Sequence, residues 1–162
     1  MTFYRAGELP DWEISSWLNT GEPLALAGLR GRVVAVYAFQ MLCPGCLEFS
    51  LPQAQRVHEQ YARDQVAVVG LHTVFESHTR MGDEALARFL KEKGYTFPVG
   101  VDAPGVLWAP RTMERWGLQG TPSLVLIDGA GRRRMQKLGH ESDEALGTAV
   151  SQLLGERQGR HE

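Results

Sequence analysis

Three runs of apolar, strand-favouring residues punctuate the chain: Val33 to Phe39, Val66 to Leu71 and Ser123 to Ile127. The first has no polar face at all, the mark of a central strand buried on both sides. Between and after these runs the period changes from strand to helix. Leu47, Leu51, Ala54, Val57 and Tyr61 recur at helical intervals, with Pro52 expected to bend the helix that carries them. Asp83 to Lys93 predicts a helix with Leu86, Phe89 and Leu90 on one face and Gly94 as its stop. Phe97 to Val101 reads as a further short strand, and Trp108 to Trp116 as a segment that turns helical after Pro110. Asp128-Gly129-Ala130-Gly131 marks a turn, and Arg132 to Leu138 returns as the second strand of a hairpin. Ser142 caps a last helix whose apolar face is Ala145, Leu146, Ala149, Val150, Leu153 and Leu154, and the tail after Gly155 reads as frayed. Nearer the start, Leu24 and Leu26 alternate as in an early strand, while Trp12, Ile14, Trp17 and Leu18 fit a short helix or an irregular lid. Strands alternating with helices, closed by a hairpin and a helix, predict a three-layer α/β domain around a mixed sheet.

The only two cysteines, Cys43 and Cys46, stand where the first buried strand gives way to a helix. That is the carboxyl edge of the sheet, where sites of open α/β domains gather. A C-x-x-C pair can close a small disulfide ring, and its first thiol sits at a helix N-terminus, where unpaired N–H groups favour the thiolate that attacks disulfides. Cys43 is therefore the candidate nucleophile and Cys46, one turn inward, the candidate resolving thiol. Pro44 and Gly45 shape the turn between them. Thr121-Pro122, just ahead of the third apolar run, is the second informative place. A cis bond before Pro122 would turn the Thr121 backbone toward the sulfurs, where it could pair with an extended substrate by strand addition.

Taken together, the strand, Cys43-Pro44-Gly45-Cys46, the proline-bearing helix, Gly120-Thr121-Pro122 and Ile127-Asp128-Gly129-Ala130-Gly131 resemble the thioredoxin-like superfamily, in its TlpA-like or redoxin branch. The resemblance spans residues 20 to 154, leaving 1 to 19 as an N-terminal extension and 155 to 162 as the tail of one domain. Val68 to His72, the Asp83 to Gly94 helix and Phe97-Pro98-Val99 resemble the strand-helix insertion of that branch. It implies a central sheet flanked by helices, Pro122 as a cis-proline facing the cysteines, and reversible dithiol-disulfide exchange. Departures accompany it. Leu42 stands where a tryptophan is common, and Tyr37 replaces the expected buried acid. Pro52 lies one residue late, and Glu48 falls one position short of a TlpA-like glutamate, Phe49 taking that place. Proton handling at Cys46 is thus open between water, Tyr37 and Glu48, and a solvent-facing Glu48 is the blander reading.

Composition narrows the picture. The 162 residues fit one domain, able to bury about two-thirds of its unfolded surface. A net charge of −2 offers no basic excess for nucleic acid. The first ten residues lack the basic-then-apolar order of a leader, and no membrane span is evident, so the expected compartment is the cytosol. There a lone cysteine pair is a working dithiol or a metal ligand rather than a staple. The expected partners are a protein or small-molecule disulfide and a dithiol electron donor, with no cofactor and no nucleic acid. Three rival readings remain. A peroxiredoxin-like peroxidase would need a hydroxyl three residues before its cysteine, where Gln40 stands. A zinc site from Cys43, Cys46, His72 and His78 would need a shorter loop between its halves. A binding module without turnover would have no need of both thiols. His72 reads as a satisfied histidine at a strand end, and Arg132-Arg133-Arg134 with Lys137 as edge-strand charges that discourage pairing between molecules.

Overall fold

The computed structural model describes residues 2–76 and 78–159. Val33 to Phe39 forms the central strand, β3, after strands β1 (Thr2–Glu8) and β2 (Ile14–Leu18), and all seven of its residues are buried. Because side chains alternate across a strand, β3 feeds two cores. Val33, Ala35, Tyr37 and Phe39 face one, with Cys46 and apolar residues of helices α1 (Leu51–Gln60), α2 (Asp83–Lys93) and α4 (Asp143–Gly159). Val34, Val36 and Ala38 face the other, with Trp12, Leu26, Leu29 and, from helix α3 (Arg111–Trp116), Met113 and Trp116. The remaining strands are β4 (Val66–His72), β5 (Val99–Asp102), β6 (Ser123–Ile127) and β7 (Arg132–Leu138). The seven run in the order β1-β7-β6-β3-β4-β5-β2. β3, β4 and β5 are parallel, while β6 lies antiparallel to β3 and β7 to β6. This is the expected mixed sheet between helical layers, with α2 and β5 in the place of the insertion.

The N-terminal residues depart from both expectations for them. Neither helix nor lid, they supply the two edge strands, β1 against β7 and β2 against β5. Trp12 follows the chain inward, its Nε1–H donating to Leu24 O at 2.7 Å, and its ring stands 5.5 Å from Trp17 and 6.2 Å from Trp116. Leu24 and Leu26 do not begin a strand either. A single 3-10 turn, Leu26–Leu29, buries its two leucines three residues apart on the same side.

β1 also corrects the reading of the arginine run. β7 is not an edge, and Arg134 is held by Glu156 Oε1 at 2.7 Å and Asp128 Oδ2 at 3.4 Å. The C-terminal helix continues past Gly155 to Gly159, tied down by Arg157, which donates to Gly31 O and Asp64 O. Only residues 160 to 162 of the expected frayed tail lie outside the described residues. Ser142 caps this helix as expected, accepting from Ala145 N–H at 3.1 Å.

Candidate active site

The chain leaves β3 at Phe39 and turns at once, Cys43 N–H donating to Gln40 O at 3.0 Å. Leu47 N–H then donates to Cys43 O at 3.0 Å, the first bond of the helix, so Cys43 stands at its N-cap. Helical turns here are not all α. Over Cys46–Ser50 the backbone forms a π turn, closed by Leu51 N–H on Cys46 O, and regular α1 begins only afterwards with Pro52 in its first turn. A π turn takes one residue more than an α turn. Pro52 falls at the start of α1 rather than inside it, so it does not interrupt that helix.

Both thiols are free, and their surroundings differ. Cys43 is half-buried and donates its S–H to Thr121 O at 3.6 Å, whereas Cys46 has no exposed surface. Burial pushes the Cys46 thiol well up, and its contact with Cys43 adds to this, while the Gln40 backbone and the Thr121 side chain pull it back. The Thr121–Pro122 bond is cis. Pro122 packs against Gly45, where an added Cβ would stand 3.3 Å from the proline Cδ, so the bare glycine lets the two loops close on each other. Cys43, Cys46, Gly45, Thr121 and Pro122 therefore form one site.

The two side chains weighed for proton handling, Tyr37 and Glu48, have other surroundings. The Tyr37 hydroxyl donates to Gln53 Oε1 at 3.0 Å, and Gln53 in turn donates to Glu141 O and Asp143 Oδ1, a buried strut between β3, α1 and the start of α4. Burial pushes the Tyr37 phenol up. Glu48 is exposed on the π turn, the blander of its two readings. Pro44 is exposed at the helix start. Leu42 and Phe49, 39% and 43% exposed, add an apolar rim, with Phe49 stacked 4.6 Å from His140. Trp108 also lies at the surface. It is 64% exposed and meets Phe75 edge-on at 5.8 Å.

Gln40 at the site escaped the sequence reading, and His72 is only half satisfied where a satisfied histidine was expected. Gln40 had signified only a missing hydroxyl, yet its side chain is 1% exposed and bonded at both ends. His72, also 1% exposed, accepts Met41 N–H on Nε2 at 3.3 Å, two residues before Cys43. Its proton must then sit on Nδ1, which finds no partner among the described residues. No cluster of three or more His, Cys, Asp or Glu among the described residues is placed to hold a metal ion.

Burial lowers the His72 pKa from 6.5 to about 4. In that window the unfolded chain binds the proton and the folded one does not. Stability from this group is therefore full above pH 6.5 and is lost as pH falls toward 4, by roughly 3 kcal/mol. Urea midpoints of wild type should fall across this range more steeply than those of His72→Gln. Equal slopes would show that His72 is not held neutral.

The family model described as Redoxin matches residues 5–153. The chain belongs to the redoxin family. Among solved structures this redoxin is similar to a thioredoxin-like superfamily protein, at 48% identity and a TM-score of 0.90 over 91% of this chain and 96% of the other. It is also similar to a thiol-disulfide isomerase from Corynebacterium glutamicum, at 45% identity and a TM-score of 0.87 over 90% and 95%. A DsbF homologue from Corynebacterium diphtheriae, 22% identical with a TM-score of 0.71 over 94% and 92%, shares the fold. No curated protein matches. The thioredoxin-like α/β fold expected from the sequence is the fold of this redoxin.

Proposed function

We propose that this redoxin is a thiol-disulfide oxidoreductase that reduces protein or small-molecule disulfides, with Cys43 as nucleophile and Cys46 as resolving thiol. The observation that carries the reading is the unequal exposure of the two sulfurs across one helical turn. A partner can reach Cys43 and cannot reach Cys46. Cys43 thiolate attacks one partner sulfur, the partner S–S bond breaks, and a mixed disulfide forms as one partner thiolate leaves. Formation of the mixed disulfide removes the S–H that Thr121 O now accepts. That carbonyl is then free for a backbone N–H of an extended partner. Cys46 next gives up its proton and attacks Cys43 Sγ, releasing the second partner thiolate. The partner gains two electrons, and Cys43 and Cys46 are left as a disulfide that a dithiol donor must reduce.

The isomerase similar at 45% identity supports thiol-disulfide chemistry here. A reducing compartment such as the cytosol fits the reductive direction. The protein should accelerate insulin reduction by dithiothreitol, read as precipitation of the freed chain. No acceleration would overturn the reading. A reduction potential near that of a dedicated oxidant, about −120 mV, would instead reverse the direction of flow.

A further inference from the structure

Residues 103–110 leave β5 and reach α3 through a loop that is closed at its neck. Ala103 N–H donates to Glu13 O and Arg111 N–H to Ala103 O, each at 2.9 Å, while Asp102 holds the Thr112 and Met113 N–H groups at the start of α3. Gly105 lies so near Ala109 O that a Cβ there would overlap it, so the loop folds tightly on itself. Anchored in this way, it still turns its apolar residues outward. Val106 is 85% exposed, Leu107 79% and Trp108 64%. Three consecutive large apolar side chains left in water on a fixed loop mark a binding surface. Leu107 and Trp108 also line a cleft of about 330 Å³ with Val74, Met81 and Val101, and Asp83, which accepts from Ser16 Oγ–H at 2.7 Å, stands on its polar side.

The cleft adjoins the dithiol. Trp108 meets Phe75 edge-on at 5.8 Å, and Phe75 N–H donates to Gln40 Oε1 at 3.2 Å. Gln40 Nε2 donates in turn to Thr121 Oγ1 at 3.3 Å, and Gln40 O accepts Cys43 N–H at 3.0 Å. One buried residue therefore ties the aromatic pair to both loops that a disulfide partner meets. A small disulfide seated on Cys43 ends there. An extended polypeptide runs on, adding about 3.3 Å with each residue.

We propose that the cleft beside Trp108 docks an apolar side chain of a polypeptide disulfide substrate, at a remove along that chain from the cysteine that Cys43 attacks. The inference rests on the dithiol reading above and selects polypeptides from the substrates it allows.

Short synthetic peptides test it, each a disulfide-linked homodimer with one cysteine, phenylalanine at a single position scanned away from that cysteine, and serine elsewhere. Pre-reduced protein is mixed with each peptide and quenched with acid. One turnover converts the peptide disulfide to two peptide thiols and the Cys43 and Cys46 thiols to a disulfide, so the electrons balance without a further reductant. With phenylalanine suitably placed, the half-saturating concentration should fall about tenfold below that of the all-serine peptide, the scale of burying one large apolar side chain. Trp108→Ser and Leu107→Ser should each erase most of that gain, and Trp108→Phe should keep most of it. In both serine variants the rate on the preferred peptide should fall about tenfold relative to the rate on a small aromatic disulfide. No preferred position in the scan, a preference that survives both serine variants, or equal slowing on peptide and aromatic disulfide would each overturn the proposal. So would wild-type dimers in sedimentation that Trp108→Ser dissociates, which would give the patch to a second copy of this chain. Wild type that reduces neither peptide nor aromatic disulfide would sink the dithiol reading itself, whereas wild type that reduces both without preference sinks only the docking site.

Discussion

Cys46→Ser should stop turnover on insulin and leave the protein covalently joined to its partner through Cys43, whereas Cys43→Ser should stop turnover with nothing joined. The asymmetry follows from placement. The Cys46 sulfur lies one turn inward from Cys43 and fully buried, so its attack on a mixed disulfide is intramolecular and its contact with outside disulfides is blocked. Well-oriented intramolecular reactions gain effective molarities of about 10⁵ M or more. Without Cys46 the mixed disulfide waits for millimolar external thiol, and turnover should fall by on the order of 10³-fold or more. Non-reducing electrophoresis and intact mass after acid quenching would read the trapped species. A trapped adduct on Cys46 in Cys43→Ser would reverse the assignment of the two sulfurs. Full insulin activity in either variant would remove the dithiol mechanism altogether.

Asp102→Ala is expected to be the most destabilising single change outside the apolar core. Asp102, 5% exposed at the end of β5, accepts from Thr112 N–H at 2.7 Å, Met113 N–H at 2.9 Å and Thr73 Oγ1–H at 3.0 Å. It joins the end of β5 to the start of α3 and to the loop after β4. Burial pushes its carboxyl up and these donors pull it back, with burial the larger effect. Truncation leaves two backbone N–H groups and a hydroxyl buried without an acceptor. At roughly 1–3 kcal/mol for each of the three stranded donors, the loss should be about 3 kcal/mol or more, a large share of the roughly 5–15 kcal/mol that holds a domain together. Asp102→Asn keeps one acceptor oxygen and should lose about half as much. Urea unfolding at neutral pH checks both. A loss under about 1 kcal/mol in Asp102→Ala would mean that the stranded donors find other acceptors.

The elements best read in the sequence are those whose burial is complete. Val33 to Phe39 had to be central because seven apolar residues in a row leave no face for water, and each of them is buried. The apolar stripe of α4 and its Ser142 cap were legible for the same local reason. The edge strands were not. β1 carries Arg5 and Glu8, and β2 carries Ser15 and Ser16, so neither displays a strand period of its own. Each forms because β7 or β5 offers an unpaired edge, a fact of topology with no local signature. The π turn at Cys46–Ser50 is similar. Pro52 signalled a bend, and the fold instead sets a π turn just ahead of it.

What the sequence by itself determined is the dithiol, its place at the carboxyl end of a central strand, and the Thr121-Pro122 loop as its counterpart. These follow from residue type and order, and strand-then-helix geometry delivers them wherever the chain folds. What only the tertiary structure decided is how the side chains around those sulfurs are paired. Tyr37 turned to Gln53, Glu48 faced the solvent, and Gln40 reached Thr121 across 81 residues of chain. Hydrogen-bond partners so far apart are chosen by which loops the sheet order brings together, and no local pattern of residues records that choice.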